Sequence, residues 1–127
     1  ALATLPQDVR VIAEPGRFIS APAGVAITSV MGRARRDGQW WYYLDDGVYG
    51  SFSGQIFDHA VYPVQALTVN GAAPSPELAK HPAVLAGPTC DSIDVVAEGL
   101  PLPGLEQLPV PSFFMLDNCC CALFKAS

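Results

Sequence analysis

At 127 residues with a formal net charge of −5, the chain is the size of one domain, long enough to bury roughly two thirds of its unfolded surface around a modest core. The acidic balance offers no electrostatic footprint for phosphate backbones, so nucleic acid is excluded as an expected partner. The longest apolar stretches, such as Gly24 to Met31, fall far short of the roughly 20 residues that span a bilayer, and no basic stretch leading into an apolar one opens the sequence. A cytoplasmic protein without a membrane partner is therefore expected.

Val9 to Ala13 is short, apolar and rich in β-branched residues, and Pro15-Gly16 stops it. The pattern predicts a buried strand ending at a turn, with Glu14 and Arg17 at its mouth. Gly24 to Arg35 predicts a second extended stretch. It ends in Arg33-Ala34-Arg35-Arg36 and is closed by Asp37-Gly38, a hairpin turn signal that makes Gln39 to Leu44 the returning strand. Asp46-Gly47 marks another turn, while Gly50 and Gly54 suggest bends where backbone passes close to a neighbour. Val64 to Val69 is again strand-like, and Gly71 to Pro82, with Pro74, Pro76 and Pro82, reads as an exposed connector. Ala83 to Ala86 and Asp94 to Ala97 predict short buried strands on either side of the Gly87 to Ser92 loop. Pro101, Pro103, Pro109 and Pro111 then make the approach to the C-terminus irregular or edge-like, because proline cannot donate to a sheet ladder. No stretch sustains a helical period and no repeat is present, so the fold class is mainly β.

Three of the four cysteines are consecutive, Cys119-Cys120-Cys121, and the fourth is Cys90. Neighbouring cysteines do not readily pair, so a reducing compartment fits better than a disulfide framework. Adjacent side chains on a strand point to opposite faces, so the triplet does not converge on one ion and no metal site is expected. Glu14 and Arg17 flank a Pro-Gly turn and can face one loop-lined pocket. A guanidinium matches phosphate oxygens with a planar fork, and a carboxylate holds a heterocyclic nitrogen protonated. A surface turn with an incidental ion pair is the alternative. Gly87-Pro88-Thr89-Cys90-Asp91 presents a thiol beside a carboxylate, to be weighed against a buried, inert cysteine. His59, taken alone, reads as a hydrogen-bonded structural histidine.

The run Tyr42-Tyr43-Leu44-Asp45-Asp46-Gly47-Val48-Tyr49-Gly50-Ser51-Phe52-Ser53-Gly54-Gln55-Ile56-Phe57-Asp58-His59, with Glu14-Pro15-Gly16-Arg17 before it and Gly87-Pro88-Thr89-Cys90-Asp91 after it, carries a resemblance. It resembles the C-terminal β-barrel domain of alanine-racemase-fold decarboxylases that use pyridoxal 5'-phosphate, in their ornithine/lysine/diaminopimelate group and nearest the bacterial-type ornithine enzymes. The resemblance implies a Greek-key-like β-barrel or sandwich. Residues 1–20 would be the remnant of a preceding barrel's final strand and linker. Residues 21–127 would be the β-domain, family-like to about residue 106 and divergent over 107–127.

The same resemblance implies roles. Glu14 would pair with the pyridine nitrogen of pyridoxal phosphate, with Gly16 and Arg17 at its phosphate. Asp58 would bind the distal amine of a small diamino-acid substrate, and Phe57 before it is the bacterial-type residue. Cys90 would control return of a proton to the substrate carbon after carbon dioxide leaves. Asp91 would face the substrate amine in the partner's site across a two-fold homodimer, with Tyr49 and Asp94 at the dimer contact.

Two departures qualify the expectation. The family's Schiff-base lysine lies in an N-terminal (β/α)8 barrel domain, and neither Lys80 nor Lys125 matches it. The chain is therefore expected to need such a barrel domain as partner and to decarboxylate nothing alone. In the divergent tail, Asp117-Asn118-Cys119-Cys120 fills the slot of the family's Gly-Ala-Tyr-Thr motif, which reads as a changed reading frame or a truncated gene copy. A non-catalytic, decarboxylase-like binding or regulatory domain is the alternative function.

Overall fold

The computed structural model describes residues 6, 8–13, 16–68, 70–104 and 113–117. The elements run α1 (Arg17–Ser20), a 3-10 turn (Ala21–Ala23), β1 (Val25–Arg36), β2 (Gln39–Leu44), α2 (Gly54–Asp58), β3 (Val64–Leu67), β4 (Lys80–Ala86), β5 (Val95–Pro103) and β6 (Phe113–Asp117). The chain is mainly β, as its patterning implied. Among the described residues six strands form one sheet in the order β3-β6-β1-β2-β4-β5, and over those residues the sheet is not closed.

The β1–β2 hairpin forms where turn chemistry placed it. Asp37 and Gly38 have φ of 50° and 81°, the two positive values that a tight two-residue turn requires, and Arg36 faces Gln39 across it. β1 serves two partners. Val25 to Ser29 pair with β6, Val30 to Arg36 pair with β2, and the β1–β2 register slips between Val30 and Gly32. Such a bulge bends a strand and increases its twist. Tyr42 of β2 and Phe114 of β6, on opposite sides of β1, lie 5.9 Å apart between ring centroids. Leu44, Leu85, Leu116, Val48 and Phe52 share this core, and Tyr62 meets Phe52 edge-on at 5.3 Å. At about 25 cal/mol per Å² these buried side chains are the main favourable term for the fold.

β4 joins β2 in parallel, Trp40 to Ala83 through Tyr43 to Ala86, which requires the chain between them to cross over. β5 pairs antiparallel with β4 as an outer strand. Pro101 and Pro103 therefore lie within a strand, at the sheet edge where a missing N–H is tolerated. Lys80 to Pro82, expected in the connector, open β4 instead. The larger correction concerns Val9 to Ala13, which forms no strand and leaves Val9, Val11 and Ile12 exposed. Among the described residues no neighbouring strand supplies ladder partners for it, so β-branched composition alone does not make it a strand. The helix α2 was also not anticipated, because five residues are too few to establish a period.

Candidate functional site

The aromatic strand β2 runs directly into an acidic turn whose shape is set by carboxylates. Asp45 Oδ1 accepts from Ser29 N–H at 2.9 Å, which anchors the strand end to β1. Asp46 Oδ1 accepts from Gly47 N–H at 2.8 Å and Ser51 N–H at 3.1 Å and so folds residues 47–51 around itself. A Cβ on Gly50 would meet that same oxygen at 2.0 Å, so the close approach expected at this glycine is real. The turn delivers the chain into α2, which ends at Asp58. His59 caps the helix in the left-handed conformation, φ 51° and ψ 37°, with its backbone N–H returned to Gly54 O. Asp58 and His59 are both exposed.

The second half of the site is the 87–94 loop. Asp94 is 2% exposed, and its carboxylate is satisfied by its own chain. Oδ1 accepts from Val48 N–H at 2.9 Å, and Oδ2 accepts from Thr89 N–H at 3.0 Å and the Thr89 hydroxyl at 2.6 Å. A buried carboxylate needs such donors, since leaving it unsatisfied costs more than the bonds return in net stability. Cys90 and Asp91 ride exposed on the outside of the loop, Cys90 as a free thiol.

Asp91 is tied back to the acidic turn. The Tyr49 hydroxyl donates to Asp91 Oδ2, and Ile93 N–H donates to Oδ1 at 3.1 Å. The Tyr49 bond, seconded by Ile93, holds the Asp91 carboxyl below its ordinary value of 3.8. The same bond raises the Tyr49 hydroxyl above 10.0, with smaller contributions from desolvation and from the charges of Asp91 and Asp94. The result is a carboxylate held anionic in solvent beside a thiol. That arrangement can receive an ammonium and hold or deliver a proton.

The structure brings the two halves to one place. A cleft of about 540 Å³ is lined by Gln55, Ile56 and His59 on the α2 side and by Ser92, Ile93 and Glu98 on the other. Asp58, Cys90 and Asp91 are not themselves among the residues that line it, although chain neighbours of Asp58 and Asp91 are. Tyr49 is hydrogen-bonded to the loop, and Asp94 lies beneath it. Gly16 is exposed, and its carbonyl accepts from Ile19 N–H at 3.0 Å as α1 begins. Arg17 opens α1 in backbone. Glu14, the Arg17 side chain and Cys119 to Cys121 lie outside the described residues. Among those described, no group of three or more His, Cys, Asp or Glu is arranged to hold a metal, and no helix is long and apolar enough to cross a membrane.

Residue-by-residue reading missed Thr89 and the Val48 amide as the partners that shape the loop. One signal was available: Asp94 interrupts the apolar run Ile93-Asp94-Val95-Val96, and an acid buried there must find donors.

Comparison with known proteins shows the family of the chain. The family model for the pyridoxal-dependent decarboxylase C-terminal sheet domain matches residues 17–108. A lysine/ornithine decarboxylase of Selenomonas ruminantium is 38% identical over 99 residues, covering 78% of this chain and 23% of that protein. Antizyme inhibitor 2 of Xenopus laevis is 35% identical over 123 residues, covering 87% and 25%. The solved structure of lysine/ornithine decarboxylase from Vibrio vulnificus complexed with cadaverine superposes with a TM-score of 0.71 at 47% identity, over 95% of this chain and 32% of that one. The chain spans about a quarter of the length of these two curated relatives. It belongs to the family of C-terminal sheet domains of pyridoxal-dependent decarboxylases.

Proposed function

We propose that this chain is the C-terminal part of an ornithine or lysine decarboxylase. It would work with an N-terminal (β/α)8 barrel domain and as a two-fold homodimer, releasing putrescine or cadaverine. The observation that carries the reading is the 87–94 loop, which presents an exposed thiol and an exposed, hydrogen-bonded carboxylate from a base built by Asp94. An isologous dimer would place Cys90 and Asp91 in the partner's site while receiving the partner's in return, with Tyr49 at the contact and Asp94 under it. Asp91 and Asp58 would bind the substrate's distal ammonium, and Cys90 Sγ would hold the proton returned to Cα.

The donor set on this chain fits pyridoxal phosphate. Arg17 offers a planar guanidinium for the phosphate, and Glu14 offers a carboxylate for the ring nitrogen. Gly16 between them is exposed, with nothing within 4 Å of where a Cβ would lie. When bound, that group supplies the electron-withdrawing ring that accepts the electron pair left as carbon dioxide departs.

The test is reconstitution with the (β/α)8 domain of the Vibrio vulnificus lysine/ornithine decarboxylase. Bound pyridoxal phosphate, seen by its absorbance, together with carbon dioxide release from ornithine or lysine is the expected result, and Asp58→Asn should weaken it through KM. Likeness to an antizyme inhibitor favours a second reading, a domain that binds a protein partner. Association with the barrel without cofactor absorbance or turnover would select that reading instead.

A further inference from the structure

The structure assigns Thr89 and Asp94 a positioning role: within a single chain they set the direction in which the loop presents Cys90 and Asp91. The hydrogen bonds form a closed circuit. Asp94 holds Val48 N–H through one oxygen and Thr89 through the other. The Thr89 hydroxyl, having donated to Asp94, accepts from Asp91 N–H at 3.4 Å. Asp91 in turn receives the hydroxyl of Tyr49, the residue that follows Val48. Cys90 lies between Thr89 and Asp91, whose backbone N–H groups are both held, so the direction in which its Cα–Cβ bond leaves the loop is set by them.

The circuit is also packed shut. A Cβ on Gly47 would lie 2.2 Å from Asp94 Oδ1, and one on Gly87 would lie 2.1 Å from it. The carboxylate therefore cannot swing, and the loop cannot slide past the turn without breaking it. Every member belongs to one chain. A second subunit would meet a loop already shaped, and association would spare the cost of ordering it. What Cys90 and Asp91 do there rests on the proposed decarboxylase reading, whereas the geometry of the loop does not.

Thr89 gives the clean test, because it is exposed and changing it leaves the Asp94 charge in place. In the full chain, Thr89→Val removes both ends of the hydroxyl's link and Thr89→Ser keeps them. The side-chain carboxyl of Asp91 is titrated by NMR in each variant, with circular dichroism confirming the fold. In wild type and Thr89→Ser the midpoint should stay below 3.8, and in Thr89→Val it should move back toward that value as the Tyr49 bond loosens. Thr89→Ala is the second variant should the valine disturb folding. An Asp91 midpoint unchanged in both hydroxyl-free variants would overturn the proposal.

With the barrel domain added, Thr89→Val should lower kcat on the order of ten- to a hundredfold while Thr89→Ser retains it, the size expected when a reacting group is misplaced. Silence of the wild-type chain in that assay would count against the decarboxylase reading alone, and the titration would still decide the positioning role.

Discussion

Two chain reversals in this molecule are built by opposite means. The Asp37-Gly38 turn is local: two residues adopt positive φ, nothing lies within 4 Å of a Cβ placed on Gly38, and the side chains beyond it are exposed. The pairing of residues 46–51 with 87–94 is non-local. It is fixed by a buried carboxylate that reaches 46 positions back along the chain, and its glycines are required by crowding. The difference teaches that glycine can be obligatory for two unrelated reasons, backbone conformation in one place and lack of space in the other. The crowded region is the one that carries the exposed thiol.

The sharpest way to break the contrast is the same substitution in both places. Gly87→Ala forces a Cβ to within 2.1 Å of Asp94 Oδ1 and 2.4 Å of its Cγ, atoms with nowhere to move. A loss of about 3 kcal/mol or more in denaturant unfolding is expected, as for other severe core clashes. Asp94→Ala relieves the crowding but strands the Val48 and Thr89 amides. It should cost about 2 kcal/mol by the same measurement, because the lost acceptor leaves donors unmet. Gly38→Ala, with open space but φ of 81°, should cost only about 1 kcal/mol, from backbone strain. Equal losses at Gly38 and Gly87 would erase the distinction between the two turns.

The smallest effect is electrostatic. Asp91 is lowered in the folded chain, so its contribution is present above its ordinary 3.8 and is lost as pH falls through the folded value. Tyr49 is raised, so its contribution is full below 10.0 and is lost as pH rises through the folded value. Stability should be flat with respect to this pair between those limits and decline slightly outside them. Tyr49→Phe should remove the alkaline decline and shrink the acid one in a series of unfolding midpoints against pH.

How much of this was legible in the sequence follows from the range of the forces involved. β1, β2 and the turn between them could be read because periodicity and an Asp-Gly pair act over a few residues. The motifs around Asp58 and Cys90 were legible as a resemblance. That the adjoining residues Gln55, Ile56 and His59 share one cleft with Ser92 and Ile93 was not, because nothing local says that the chain after His59 crosses over and returns as β4 parallel to β2. Val9 to Ala13 shows the reverse failure, since a strand-like composition found no strand to pair with among the described residues. The left-handed helix cap at His59 was not legible because, unlike Asp37-Gly38, no turn motif marks it.

The position of β6 has a bearing on how the sheet is assembled over time. It lies between β3 and β1, pairing Leu116 with Ala26 on one side and with Val64 on the other, partners roughly 90 and 50 positions away. A chain emerging from the ribosome can close the β1–β2 hairpin early, since that contact is short in sequence. β3 has no strand to join, among the described pairings, until Phe113 to Asp117 have been made. Until then Val64 to Leu67 and the outer edge of Val25 to Ser29 are unpaired strand edges in a nascent chain, the kind of surface on which chaperones act.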